Sequence, residues 1–149
     1  MSVISFTPTL LPISNKLKLL LNQTLCNYHT QVIQLNGQSA ERYTFNFRDT
    51  SYDAENGGFR PIEIAINQQS SDEWSIEYIT EFAYFGNYYP ELERSIDFDI
   101  TNNCWFTSHI GWLSLKTHQQ DAKELYQRWE SNFLAYVDMD AYDQIKVNC

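Results

Sequence analysis

The chain has 149 residues, 43% of them hydrophobic and 15% aromatic, and a formal net charge of −9. This is the composition of a folded domain, and the length is enough to bury roughly 70% of the unfolded surface without help from metal or disulfides. No segment approaches the ~20 apolar residues of a membrane span. The acid excess opposes the phosphate contacts on which nucleic-acid binding relies.

The whole net charge lies in one stretch. Asp53 to Asp99 carries eleven carboxylates against Arg60 and Arg94, while the flanking segments hold eight acids and eight bases. Cys26, Cys104 and Cys149 are far apart and form no Cys-x-x-Cys pair, so they read as reduced thiols of a cytoplasmic protein.

Residues 1–13 read as an extended N-terminal segment, and residues 14–147 as the α+β core of a single domain spanning 1–149. Val3 to Ile13 is apolar, but Pro8 and Pro12 interrupt it and it lacks the basic start of a signal peptide. Ser14 and Asn15 supply a helix start, after which Leu17, Leu20, Leu21, Leu25 and Tyr28 recur on one helical face. The period then shifts. Val32, Ile33 and Leu35 predict a strand running into Asn36-Gly37, a strong hairpin signal, and Tyr43, Phe45 and Phe47 alternate with polar residues on the return.

Gly57-Gly58 closes a loop before a strand of Ile62, Ile64 and Ile66 alternating with Glu63 and Asn67. A long strand comes next, with Trp74, Ile76, Tyr78, Thr80, Phe82 and Tyr84 on one face and Glu77, Ile79, Glu81 and Ala83 on the other. Ile96, Phe98 and Ile100 alternate with Asp97 and Asp99 in a fifth strand, and Cys104 to Leu113 reads as a sixth. From Thr117 or Gln120, Ala122, Leu125, Tyr126, Trp129, Phe133, Tyr136 and Val137 mark the strongest helical seam in the chain. Asp140 is read as capping a last short turn that carries Tyr142 and Ile145.

Strands with one apolar and one charged face predict an antiparallel sheet covered on one side. The expected fold is therefore α+β: a twisted antiparallel sheet of about five to seven strands flanked by N- and C-terminal helices packed on one face. On this reading Glu63, Glu77, Glu81, Asp97 and Asp99 share the uncovered face.

The candidate chemistry is electrostatic. Asp97 and Asp99 sit about 7 Å apart along one strand face, with Glu63, Glu77 or Glu81 across from them, a group suited to a divalent cation or an acid/base pair but equally to a solvated strand face. His29, His109 and His118 are isolated, and Cys104 with His109 makes no zinc signature. Nucleophile and phosphate-loop motifs are absent from the sequence. No cofactor and no metal are called for.

The segment Tyr84-Phe85-Gly86-Asn87-Tyr88-Tyr89-Pro90-Glu91-Leu92-Glu93 sets aromatic rings on a loop rimmed by carboxylates. That is the make-up of a protein-binding hot spot for Lys or Arg; the alternative is that Tyr88 and Tyr89 fold back to close the core edge. The candidate binding residues are therefore Glu63, Glu77, Glu81, Tyr84, Tyr88, Tyr89, Glu91, Glu93, Asp97 and Asp99.

Three segments carry a family resemblance: Ser51 to Ile64; Tyr78 to Tyr84 with Pro90-Glu91-Leu92 and Asp97 to Ile100; and Glu124-Leu125-Tyr126 with Trp129, Asn132-Phe133 and Tyr136. Together they resemble a bacterial family of unknown function carried on pathogenicity islands and other mobile elements, over roughly residues 14–147. That family is similar in fold to the mitochondrial acidic matrix glycoproteins, which bind complement and other proteins through an acidic surface and form ring-shaped trimers. The resemblance implies terminal helices flanking a twisted sheet and a possible homo-oligomer of trimer type, and it brings no catalytic residues with it. The leading functional expectation is a non-enzymatic acidic module that binds a basic or mixed-charge protein, without nucleic acid or membrane as partner. The rival expectations are a carboxylate-based metal-dependent enzyme using Asp97, Asp99 and Glu63, and an acidic decoy of a DNA-binding protein.

Overall fold

A computed structural model describes residues 4–36 and 40–149. The elements run β1 (Ser5–Phe6), α1 (Asn15–Asn36), β2 (Arg42–Arg48), β3 (Ile62–Gln68), β4 (Glu73–Phe85), β5 (Glu91–Asp99), β6 (Cys104–Thr107), β7 (Gly111–Ser114), α2 (Gln119–Asp138) and β8 (Gln144–Asn148). Seven strands form an antiparallel path in the order β7-β6-β5-β4-β3-β2-β8, and β1 adds to β4 in parallel. Both helices cover one face, which is the α+β arrangement expected. No helix of the described residues is long and apolar enough to cross a membrane.

The core follows from strand alternation. Tyr43, Phe45 and Phe47 of β2, Ile62, Ile64 and Ile66 of β3, and Phe98 of β5 are buried beneath the helices. Leu17, Leu21 and Leu25 bury one stripe of α1, and Ala122, Tyr126, Trp129 and Phe133 bury one stripe of α2. Edge-to-face contacts lock the layers: Phe47 meets Phe133 at 5.0 Å between centroids and Phe98 meets Tyr126 at 5.1 Å, a geometry that the ring quadrupoles favour. Glu130 lies buried between the helices, where its Oε2 accepts from the Tyr126 hydroxyl at 2.6 Å and from the Ser14 backbone N–H at 3.1 Å.

Several expectations are corrected. The strand expected over Val32 to Leu35 is helix, because α1 continues to Asn36; Gly37 of the expected turn lies outside the described residues. Asn-Gly is also helix-stop chemistry, so the dipeptide did not discriminate. In place of that hairpin partner, β2 pairs with β3 on one side and β8 on the other. The short turn expected after Asp140 is in fact strand β8, whose Ile145-Lys146-Val147 alternation lays Val147 opposite Phe45. The expected sixth strand is two, β6 and β7, folded on each other as a hairpin. The N-terminal segment contributes β1, with Phe6 opposite Trp74.

The main correction concerns β4. Ala65 pairs with Tyr78 but Ile66 pairs with Ile76, so Glu77 is an extra residue and the alternation of β4 slips by one. Such a bulge reverses the facing of every later side chain. Ile79 and Ala83 thus join Trp74 and Ile76 in being buried, while Glu81 stands in register between the helix-side residues Ile62 and Ile96. A second slip leaves Ser95 extra on β5.

Candidate functional site

The predicted acids separate into three groups. The first stays on the uncovered face, where Glu63, Thr80 and Asp97 stand in one cross-strand row and Tyr78 faces Asp99 in the next. Glu77, the bulged residue, keeps to the same face, where it receives Arg42 with Nε to Oε1 at 3.1 Å. Tyr78 donates its hydroxyl to Glu63 Oε2 at 2.5 Å. Desolvation first, then the Glu63 carboxylate, pushes the Tyr78 hydroxyl up to about 12. Asp99 turns inward on its own loop and accepts from the Asn102 backbone and side chain at 3.1 and 2.9 Å.

Asp97 departs from the expectation of exposure. It is only 5% exposed, Arg94 Nε lies 3.0 Å from its Oδ2, and its Oδ1 is buried with no hydrogen-bond partner among the described residues. Desolvation is the dominant cause raising its carboxyl to about 6, against the pull of Arg94 and the Thr80 hydroxyl and with a further push from Asp99 and Glu63. Its burial follows from its neighbours: Phe106 stands opposite it on β6, Trp112 opposite Phe106 on β7, and the Arg94 guanidinium lies 5.3 Å from the Trp112 ring centroid. Aromatic side chains at the sheet edge therefore dry what the sequence presents as a wet acidic strand.

Beside this group a polar cleft of about 680 Å³ opens between Thr7–Thr9 and Asp99–Asn102, with Glu77 and Tyr78 in its wall. No group of three or more His, Cys, Asp or Glu among the described residues is placed to hold a metal ion.

The second group is the β4–β5 hairpin. Tyr88 and Tyr89 project at its tip and are 91% and 88% exposed, so they do not close the core edge. Gly86 begins the turn at φ +111°, where an added Cβ would stand 3.1 Å from the Tyr89 carbonyl oxygen. Glu91 and Glu93 flank the tip, both exposed, opposite Phe85 and Ala83. Tyr84 is half-buried and braces the base of the hairpin: its ring stacks on Tyr52 at 5.2 Å, and its backbone N–H donates to the Tyr52 hydroxyl at 3.2 Å.

The loop that presents Tyr52 is tied by Asp49, whose oxygens accept from the backbones of Ser51 and Phe59 at 3.0 Å each. These bonds hold the Asp49 carboxyl below its ordinary range, the Phe59 bond most. Gly58 permits the closure, since at φ +133° a Cβ would come within 2.8 Å of Asp49 Oδ2 and 3.1 Å of the Tyr52 Cα.

Glu81 is the third group, in register with the helix-side residues Ile62 and Ile96. Ser95 donates to its Oε2 at 2.9 Å and Arg60 at 3.2 Å. Sequence reasoning missed Arg42, Arg94, Tyr52 and Trp112 as partners. Arg42 lies 35 residues from Glu77, and nothing local in the sequence joins them.

A two-layer α+β domain with an acidic sheet hairpin and a part-neutralised open face defines the class. The family model described as protein of unknown function (DUF2787) matches residues 15–148, and the chain belongs to that family. It is 52% identical to a hypothetical protein from the VSP-II pathogenicity island of Vibrio cholerae, with a TM-score of 0.84 over 97% of this chain and 100% of that one. It is 46% identical to a conserved hypothetical protein from the V. cholerae pathogenicity island VPI-2, with a TM-score of 0.82 over 96% and 99% of the two chains. The latter is described as sharing structural homology with the human P32 protein. A search of curated proteins found no match.

Proposed function

We propose that this chain is a non-enzymatic protein-binding module that takes a basic or mixed-charge partner on its β4–β5 hairpin and adjoining acidic surfaces. The observation that carries this reading is the pair Tyr88 and Tyr89, which stand in solvent beside Glu91 and Glu93. Two adjacent tyrosines packed against nothing cost the free protein apolar exposure, which a partner would relieve. Their rings offer faces to Lys or Arg, and the flanking carboxylates supply complementary charge.

The acidic decoy reading would use the same charge but gives the tyrosines no task. The trimer that the family resemblance implies extends the proposal to a homo-oligomer, which sedimentation velocity reads directly. The binding test is capture from native cell extract with wild type and a Tyr88→Ala/Tyr89→Ala variant, at low and high salt. The reading expects a protein retained by wild type at low salt, released by high salt, and lost to the variant. Equal recovery on both proteins would overturn it.

A further inference from the structure

The bulge that moved Glu81 out of the open face put it somewhere specific. A cleft of about 210 Å³ lies between α2 and the sheet, with Glu81 in its wall beside Trp129, Phe133, Tyr136 and Tyr142. Trp129 and Phe133 stack at 5.1 Å and Phe133 meets Tyr142 at 5.7 Å, so the aromatic wall is continuous. The Glu81 carboxylate stands in register between Ile62 and Ile96 under a helix, where it satisfies the buried Ser95 hydroxyl. Both its hydrogen bonds, from Ser95 and Arg60, fall on Oε2, which leaves Oε1 without a protein donor among the described residues.

We propose that this cleft is a socket for one Lys or Arg side chain of the protein partner, with the aliphatic stem against the rings of α2 and the cation at Glu81 Oε1. The proposal deepens the protein-binding reading and rests on it. Size favours a side chain over a free metabolite, since small-molecule sites commonly span about 300–1,000 Å³. Aromatic faces with a carboxylate are also the chemistry that recognises an alkyl cation. The field of Glu81 is felt across the cleft: after desolvation, it is the largest cause raising the Tyr142 hydroxyl.

Continuity with the hairpin supports the assignment. Glu81, Ala83 and Phe85 share a face of β4, and Glu93 and Glu91 stand opposite the last two. An acidic path thus leads from the socket to the base of the Tyr88-Tyr89 tip. Two cations stand near. Arg60 holds Glu81 through Oε2, and Arg128, exposed on the cleft wall, has no ion pair among the described residues. Arg128 opposes a lone cation but suits a mixed-charge segment with a carboxylate beside the inserted Lys or Arg.

The test uses the capped tripeptides acetyl-Ala-Lys-Ala-amide and acetyl-Ala-norleucine-Ala-amide, titrated while the indole N–H of Trp129 is followed by NMR. The lysine peptide should shift that resonance saturably, and norleucine, which keeps the four-carbon stem but lacks the ammonium group, should not. Glu81→Gln keeps the shape and should weaken binding by about ten-fold, the factor expected when a charge-assisted contact worth about 1.4 kcal/mol is lost. Arg128→Ala, at an exposed position on the cleft wall, should tighten the lysine peptide. Equal binding of both peptides, silence at Trp129, undiminished binding by Glu81→Gln, or weakening by Arg128→Ala would each overturn the socket. None of these touches Tyr88 and Tyr89, so loss of partner capture by the tyrosine variant would leave the protein-binding reading standing even where the socket fails.

Discussion

Arg94 joins Asp97 across a bulge, Nε to Oδ2 at 3.0 Å, and the same guanidinium lies over Trp112. The extra residue Ser95 brings the two side chains to one face at a spacing of three, where regular strand alternation would place them on opposite faces. One arginine thereby links β5 to the edge strand β7 and opposes the desolvation of Asp97.

The buried Asp97 carboxyl makes stability depend on pH. Its pKa rises from 3.8 to about 6 on folding, so the folded chain holds the proton more tightly than the unfolded one. The ionised group therefore destabilises the fold above about pH 6, and that deficit shrinks as pH falls toward 3.8. Its full size is of order 3 kcal/mol. Urea denaturation across this range should show wild type gaining stability relative to Asp97→Asn as pH drops. A constant difference between the two would mean that Asp97 titrates as in the unfolded chain.

Glu130 is a buried carboxylate held by two donors and no cation among the described residues. Glu130→Ala should strand the Tyr126 hydroxyl and the Ser14 N–H, at a cost of about 1–3 kcal/mol for each group that finds no water. Thermal unfolding gives the sum. A loss within the ordinary surface range of about 0.5 kcal/mol would show that this joint between the helices contributes little.

Trp129 is 7% exposed and stacks on Phe133. Trp129→Ala should cost about 3–5 kcal/mol as a large-to-small core change, whereas Tyr88→Ala/Tyr89→Ala should alter stability by no more than about 0.5 kcal/mol per site. Paired denaturant melts check both. A destabilised tyrosine variant would indicate that the tip packs on the body of the protein.

Much of the fold was legible because its periods are clean. Leu17, Leu21 and Leu25 announce α1, Tyr43, Phe45 and Phe47 announce β2, and Ala122 to Phe133 announce α2, each by the spacing of residues that the structure buries. β8 was missed although Ile145 and Val147 alternate, because five residues carry too little pattern to outweigh a helical reading of the turn before them. The site was less legible. Tyr88, Tyr89, Glu91 and Glu93 lie where the sequence put them, since a hairpin tip depends only on local turn chemistry. Glu81 and Asp97 do not, for two physical reasons. A one-residue bulge at Glu77 is silent in sequence and turns each later side chain of β4 to the opposite face. The burial of Asp97 is owed to Phe106, Trp112 and Arg94, which pairing across strands brings to it.

The most direct measurement is the association rate of the captured partner with wild type and with Tyr88→Ala/Tyr89→Ala, followed from low to about 0.15 M ionic strength, where screening reaches ~8 Å. A basic partner steered by the acidic surface should associate more slowly as salt rises, and the tyrosine variant should keep that salt slope while dissociating faster. An association rate indifferent to salt, or a variant that dissociates as slowly as wild type, would contradict the account.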